Sequence, residues 1–317
     1  KKKHSTVTIT EIEETEEDKW YEEKRGYASV RPDAHLFWWM YNKPDGGRHR
    51  PLLLWLQGGP GVSGGYGDIE EIGPLTMDGS ARNKTWLRQA DLIFIDNPVG
   101  AGFSYVTDQS AYTKNLTGIV NDLVSWAKIF FSEHPKFRSR PFYIAGQSYG
   151  GKVSAAFAKE LHRQMQEGSL QINLKGILLV GAWISPMDFL FSYGTYLNAH
   201  SRISKAQSKK LTEAAMLCNS KANSWADKAQ CFGESQMMTM DFEKDVNFYN
   251  VNEVSTYEED VTTFAKMKKD ENFPDETLFA LFNADVYRVN YYARFFLKMN
   301  FARKQKHGII PENITWN

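Results

Sequence analysis

The sequence predicts an α/β fold, a parallel-rich sheet with helices on both faces and a helical insertion. Three observations carry that prediction. Short apolar runs alternate with amphipathic stretches from Pro51 to Val180, and strand–helix–strand alternation makes a parallel sheet. A Gly-x-Ser-x-Gly turn, Gly146 to Gly150, lies between a run with strand texture and one with helical periodicity. After Ser185 the alternation stops, and the chain becomes Met-rich, aromatic-rich and mostly helical in texture.

Taken in order, residues 1–26 form an acidic N-terminal segment, with Glu11 to Asp18 most strongly charged, and read as poorly ordered or as a sheet edge. Tyr27–Val30 and His35–Tyr41 read as two strands around Pro32-Asp33, followed by a Pro/Gly/Asp turn at Lys43–Arg50. Pro51–Leu56 and Asp91–Asp96 have the unbroken apolar texture of strands buried on both faces. Leu116, Ile119, Val120, Leu123, Ala127 and Phe130 recur at helical spacing. Phe142–Ala145 is a further strand, then Val153, Ala156, Phe157 and Leu161 mark one face of a helix. Leu174–Val180 reads as another buried strand. The core is expected over 27–184. A helical lid is expected over 185–300, entered through a capping box at Ser204 and Gln207. Residues 301–317 are expected to return toward the core, with the chain ending before the remaining strands of the fold.

Composition narrows the function classes. The 38 basic residues cancel the 38 acidic ones, so no electrostatic footprint for nucleic acid or anionic membrane exists. The longest apolar run, Gly176 to Ile184, is about half of what spans a bilayer. Cys218 and Cys231 lack metal-ligand spacing and lie close enough for a local disulfide. Sequons at Asn83, Asn115 and Asn313 would be glycosylated only in the secretory pathway, and a secreted, lysosomal or vacuolar protein is expected. The start, Lys1 to His4, has no apolar leader texture, so any signal peptide is expected either to have been removed or never to have existed.

The chemistry concentrates at Ser148. A sharp strand-to-helix turn strains its backbone and needs small residues on both sides, while lifting the hydroxyl to the carboxyl end of the sheet. The N–H of Tyr149 would face an oxyanion formed there. The second constellation, Trp55 to Gly64, contains Gly-x-Gly-x-x-Gly at Gly59–Gly64. A dinucleotide site needs a helix to open inside those glycines, whereas Pro60 interrupts them and Gly73-Pro74 stops any helix early. In an α/β-hydrolase this loop supplies the other oxyanion N–H, and Gly59 suits that role.

Four motifs in order resemble the serine carboxypeptidase family: Trp55-Leu56-Gln57-Gly58-Gly59-Pro60-Gly61, Glu70-Glu71-Ile72-Gly73-Pro74, Asp96 to Tyr105, and the elbow Gln147-Ser148-Tyr149-Gly150-Gly151. The resemblance is dense from Tyr27 to Tyr196. It implies an α/β-hydrolase fold that removes C-terminal residues from peptides, without metal or organic cofactor. Ser148 becomes the nucleophile, with Gly59 and Tyr149 as oxyanion hole. Gln57, Glu71 and Gln147 occupy the positions that bind the substrate's terminal carboxylate. Gln57 departs from most members, Gln147 from nearly all, and Ala182 stands where Asn or Asp is usual. The family's Asp and His follow the lid, and His162, His200 and His307 lack the context of the family's histidine. The resemblance therefore implies a heavy fragment needing a C-terminal light chain that carries Asp and His, with a homodimer as a further partner. A catalytically inactive binding protein and an acyltransferase on the same fold are the alternatives.

Overall fold

A computed structural model describes residues 20–76, 79–221, 231, 234–235, 238–239, 242, 246–247 and 250–254. Among them, those up to Ile184 form one compact unit and those from Ser185 a second.

The first unit is built on a mixed sheet of seven strands. These are β1 (Glu22–Arg31), β2 (Ala34–Asn42), β3 (Leu52–Leu56), β4 (Asp91–Ile95), β5 (Tyr105–Val106), β6 (Pro141–Gln147) and β7 (Asn173–Val180). Their order is β1-β2-β4-β3-β6-β7, with β5 beside β2. β1 and β2 form an antiparallel hairpin through Asp33, whose φ is +62°, and β2 meets β4 antiparallel. The remaining pairings, β4–β3, β3–β6 and β6–β7, are parallel. Every residue of β3 and β4 is buried, as their unbroken apolar texture requires.

β1 begins earlier than its apolar texture suggests. Glu22 accepts from the Asn42 amide at 2.9 Å and Glu23 from the Trp39 indole at 2.8 Å, so charged residues pair along an edge strand where solvent tolerates them.

Alternate residues along the strands feed two cores. Leu52, Leu54, Leu56, Ile93, Ile95 and Ile144 face one side, where α2 (Leu116–Glu133) and α3 (Tyr149–Gln166) cover them with Leu123, Trp126, Phe130 and Phe157. Leu53, Trp55, Leu92, Phe94 and Ala145 face the other, packed with Tyr21, Ile72 and Leu87. Each large apolar side chain buried this way contributes about 1.5–3 kcal/mol. A short helix, α1 (Gly64–Tyr66), runs into a wide turn at Gly67–Ile72. α2 starts at Leu116 because the Asn115 side chain accepts from the Gly118 N–H at 2.9 Å.

β7 differs from expectation. It reads as a strand buried on both faces, yet Ile177 is 38% and Leu179 47% exposed. The exposed positions alternate and so share one face, which is left uncovered at the margin of the sheet, where no described strand follows β7.

The second unit contains α4 (Pro186–Ala199), α5 (Lys205–Lys221) and a ribbon of β8 (Val246–Asn247) with β9 (Asn250–Val254). The capping box forms reciprocally. Ser204 N–H donates to the Gln207 side chain at 2.9 Å, and Gln207 N–H donates to Ser204 Oγ at 3.2 Å. Leu190, Ala215 and Cys218 are buried together, and Cys218 is disulfide-bonded to Cys231. No described helix is long and apolar enough to cross a membrane.

Candidate active site

Ser148 stands between the last residue of β6 and the first of α3 with φ +53° and ψ −120°. That conformation is strained for a side-chain-bearing residue and survives because its surroundings dictate it. A Cβ on Gly146 would lie 2.2 Å from the Gly150 carbonyl oxygen, and one on Gly150 would lie 2.1 Å from the Leu56 oxygen. Only glycine fits either flank, so strand, turn and helix approach closely enough to present the serine. Its backbone is tied to the end of β7, with Ser148 N–H donating to Val180 O at 3.1 Å and Trp183 N–H donating to Ser148 O at 2.8 Å.

The Gly-rich loop after β3 reaches the same point. A Cβ on Gly58 would meet Ser148 Cβ at 2.9 Å and Oγ at 3.4 Å, so the Gly58 α-carbon lies against the serine side chain. Sequence reasoning singled out Gly59 and missed Gly58, although two adjacent glycines after a buried strand signal a close backbone approach. Gly59 has φ +112° and turns the chain beyond that contact.

Beside the serine runs a directional relay of side chains. The Trp55 indole N–H donates to Gln57 Oε1, Gln57 Nε2 donates to Gln147 Oε1 at 2.7 Å, and Gln147 Nε2 donates to Glu71 Oε1 at 2.8 Å. Each amide accepts from the residue before it and donates to the next. Glu71 Oε2, at the end, is buried without a hydrogen-bond partner. Burial pushes the Glu71 carboxyl above its ordinary value, opposed by the hydrogen bonds from Gln147 and Gln57. The structure thus brings together Gln57, Glu71 and Gln147, three residues from three segments. Trp55, which sets the direction of the relay, was not singled out from the sequence. Its indole donor two residues before Gln57 was the available signal.

The turn bearing Glu71 is braced from below. The Tyr41 hydroxyl donates to buried Asp68 at 2.8 Å, and Arg82 donates to the carbonyl oxygens of Ile69 and Gly73. Burial raises Asp68 well above the ordinary carboxylate range. Ala182 lies against the start of α3, where a Cβ on Gly151 would come within 2.2 Å of its methyl group.

Of the histidines, His162 is fourteen residues beyond Ser148 on α3, roughly 20 Å along the axis, and lines a cleft with Leu116 and Arg163. His200 closes α4 with its ring 4.6 Å from that of Tyr196. His307 and the sequon at Asn313 lie outside the described residues, while Asn83 and Asn115 are exposed.

Comparison with known proteins agrees with this geometry. The family model described as serine carboxypeptidase matches residues 14–317. The retinoid-inducible serine carboxypeptidase of Mus musculus is 38% identical over 296 residues, covering 92% of this chain and 64% of that protein. Serine carboxypeptidase-like 51 of Arabidopsis thaliana is 33% identical over 303 residues, covering 92% of this chain and 66% of that protein. Among solved structures, a prohormone-processing carboxypeptidase from Saccharomyces cerevisiae, KEX1(DELTA)P, superposes with a TM-score of 0.66 at 23% identity. That alignment covers 86% of this chain and 64% of the solved one, so the chain spans part of an α/β-hydrolase fold. With a strained serine elbow on a parallel sheet and a family match over nearly its whole length, the chain belongs to the serine carboxypeptidase family.

Proposed function

We propose that Ser148 is the nucleophile of a carboxypeptidase that releases C-terminal residues from peptides. The observation that carries this reading is the Ser148 elbow with Gly58 pressed against it and the Gln57–Gln147–Glu71 relay alongside. In this scheme Ser148 Oγ attacks the last peptide carbonyl while a histidine accepts its proton and returns it to the leaving amine; water then releases the acyl group. Backbone N–H groups of Tyr149 and the Gly58–Gly59 loop hold the oxyanion. The relay faces the departing residue's carboxylate, and Glu71, once protonated, donates to it from the unpartnered Oε2.

The Asp and His of the triad come from a segment outside the described residues, on a light chain in the processed protein. What supports this is β7: no described strand pairs with its outer edge, and one of its faces leaves Ile177 and Leu179 exposed, as expected of a strand that further strands and their helices would cover. The Cys218–Cys231 disulfide and exposed Asn83 and Asn115 favour a secretory-pathway location, secreted or lysosomal. The departures at Gln147 and Ala182 favour a second reading, an inactive binding protein. A fluorophosphonate probe on the full-length protein separates the two. Stoichiometric labelling that Ser148→Ala abolishes supports the enzyme. No labelling, with Asp and His shown by mass to be present, supports the binding protein.

A further inference from the structure

Asp96 directly follows β4, at the carboxyl end of the sheet, and is 3% exposed. Its Oδ1 accepts from the Ser63 hydroxyl and, at 3.5 Å, from the Gly65 N–H. Its Oδ2 accepts from the Phe103 N–H at 2.7 Å. Its main-chain oxygen accepts from Ser104 Oγ at 2.5 Å. No described Lys, Arg or His is ion-paired with it. A Cβ on Gly102, which has φ +55°, would stand 2.2 Å from Asp96 Oδ2, so the loop after β4 closes on the carboxylate without slack.

One of these donors reaches the nucleophile. Ser63 follows the Gly58–Val62 segment, whose first residue, Gly58, lies against Ser148. Its hydroxyl also accepts from Gly65 N–H at 3.0 Å, capping α1. Ser63 is thus pinned between α1 and Asp96, and the five residues Gly58–Val62 span from that pin to the nucleophile. A loop so rich in glycine has little conformational preference of its own and takes its shape from its anchors.

We infer that Asp96 is a positioning residue: through Ser63 it clasps the Gly58–Val62 loop against Ser148 and so sets where the oxyanion donors point. The inference rests on the carboxypeptidase reading for its catalytic consequence, though the clasp itself is a property of the fold. Both carboxylate oxygens face donors. Asn at this position can keep the Phe103 N–H only by turning its NH2 to Ser63, which reverses the direction of that hydrogen bond, replaces a charge-assisted contact by a neutral one and takes the place of the Gly65 contact to Oδ1. Ser63→Ala cuts the link from the loop side and leaves Asp96 bound to Phe103.

The test uses the full-length protein and two variants, Asp96→Asn and Ser63→Ala. An oxyanion hole acts in the transition state, so kcat should fall by about 10- to 100-fold in each variant with KM within about twofold. Affinity for a peptide aldehyde, which forms the oxyanion, should fall in step with kcat, while affinity for the product peptide stays constant. Amide hydrogen exchange should quicken over 58–66 in both variants and remain unchanged in β7. A purely structural role would lower the melting temperature and the active fraction without separating aldehyde from product. Unchanged kcat and aldehyde affinity in Ser63→Ala overturns the inference, as does unchanged exchange over 58–66. If the wild type neither turns over peptide nor takes the fluorophosphonate probe, the carboxypeptidase reading falls, and the exchange measurement decides the clasp alone.

Discussion

Gln147→Glu tests the reading of the relay most directly. In the wild type the Gln147 amide accepts from Gln57 at 2.7 Å and donates to Glu71 at 2.8 Å, so both of its ends are engaged. A glutamate there keeps the first contact and loses the second, leaving two carboxylates at hydrogen-bond distance that must share a proton. A hydrogen bond to a charged group contributes about 1.5–3 kcal/mol. Its loss, and the repulsion between two carboxylates in contact, make the pair hold its last proton more tightly than Glu71 does beside an amide. A peptide's terminal carboxylate binds best when the pair still holds that proton, and KM rises once it leaves. The fully ionised variant presents two negative charges to the substrate where the wild type presents one. KM for a blocked dipeptide should therefore begin its climb at higher pH in Gln147→Glu and end about 10- to 100-fold above the wild type once both carboxylates are ionised, read between pH 5 and pH 9. Turnover at saturating substrate should survive in both. The assay is steady-state release of the C-terminal amino acid across that pH range. Superimposable KM profiles would refute the reasoning, because Gln147 would then not face the substrate carboxylate.

Three further outcomes follow from the packing. Gly58→Ala would place a methyl group 2.9 Å from Ser148 Cβ and 3.1 Å from the Gln147 oxygen. Displacing the serine by even an ångström costs about 100-fold, so the fluorophosphonate labelling rate should fall by about that factor while the melting temperature shows whether the fold survives. Asp91 is buried and paired with both Arg50 and Arg140, so Asp91→Ala strands two guanidinium groups and should cost about 3–5 kcal/mol in a urea melt. Burial pushes the Asp96 carboxyl from 3.8 up to about 6. The unfolded chain then ionises before the folded one. The group's contribution to stability is complete below about 3.8 and is lost as pH rises to about 6, by about 3 kcal/mol in all. In Asp96→Asn this loss disappears, and parallel stability–pH curves for the two proteins would contradict it.

Much of the fold was legible because its signals are local. The β3 and β4 strands declare themselves as unbroken apolar runs, and the helix with Leu123 and Phe130 by its period. The serine elbow is legible for a stronger reason: its φ of +53° and the 2.1–2.2 Å approaches at Gly146 and Gly150 leave glycine as the one flank that fits. What escaped depends on partners distant in sequence. An apolar run reads the same whether both of its faces are covered or one is bare, so the exposure of Ile177 and Leu179 in β7 had no local signature. Glu22 and Glu23 look like solvated charge until Asn42 and Trp39 meet them across the hairpin. Asp96 reads as the polar end of a strand, because the serine that gives it meaning lies 33 residues earlier.

The strand β4 shows how the two ends of the sheet are used differently. At its start, Asp91 is held by two arginines, which neutralise the charge and stabilise the closed end of the sheet. Just past its finish, Asp96 is held only by neutral donors, as are Glu71 and Asp68 nearby in the Gly67–Ile72 turn. All three carboxyls are pushed upward by burial. Arg82 acts on Asp68 and Glu71 from across the turn and opposes that push, but burial prevails, and no described Lys or Arg is ion-paired with any of the three. Acids at the carboxyl end of the sheet therefore keep their protons to higher pH than ordinary carboxyls do. In an α/β sheet, ligands bind at the carboxyl ends of the strands. Under the proposed reading, the raised Glu71 carboxyl at that end would make affinity for a peptide carboxylate depend on pH, while ionisation of Asp96 would show in stability instead.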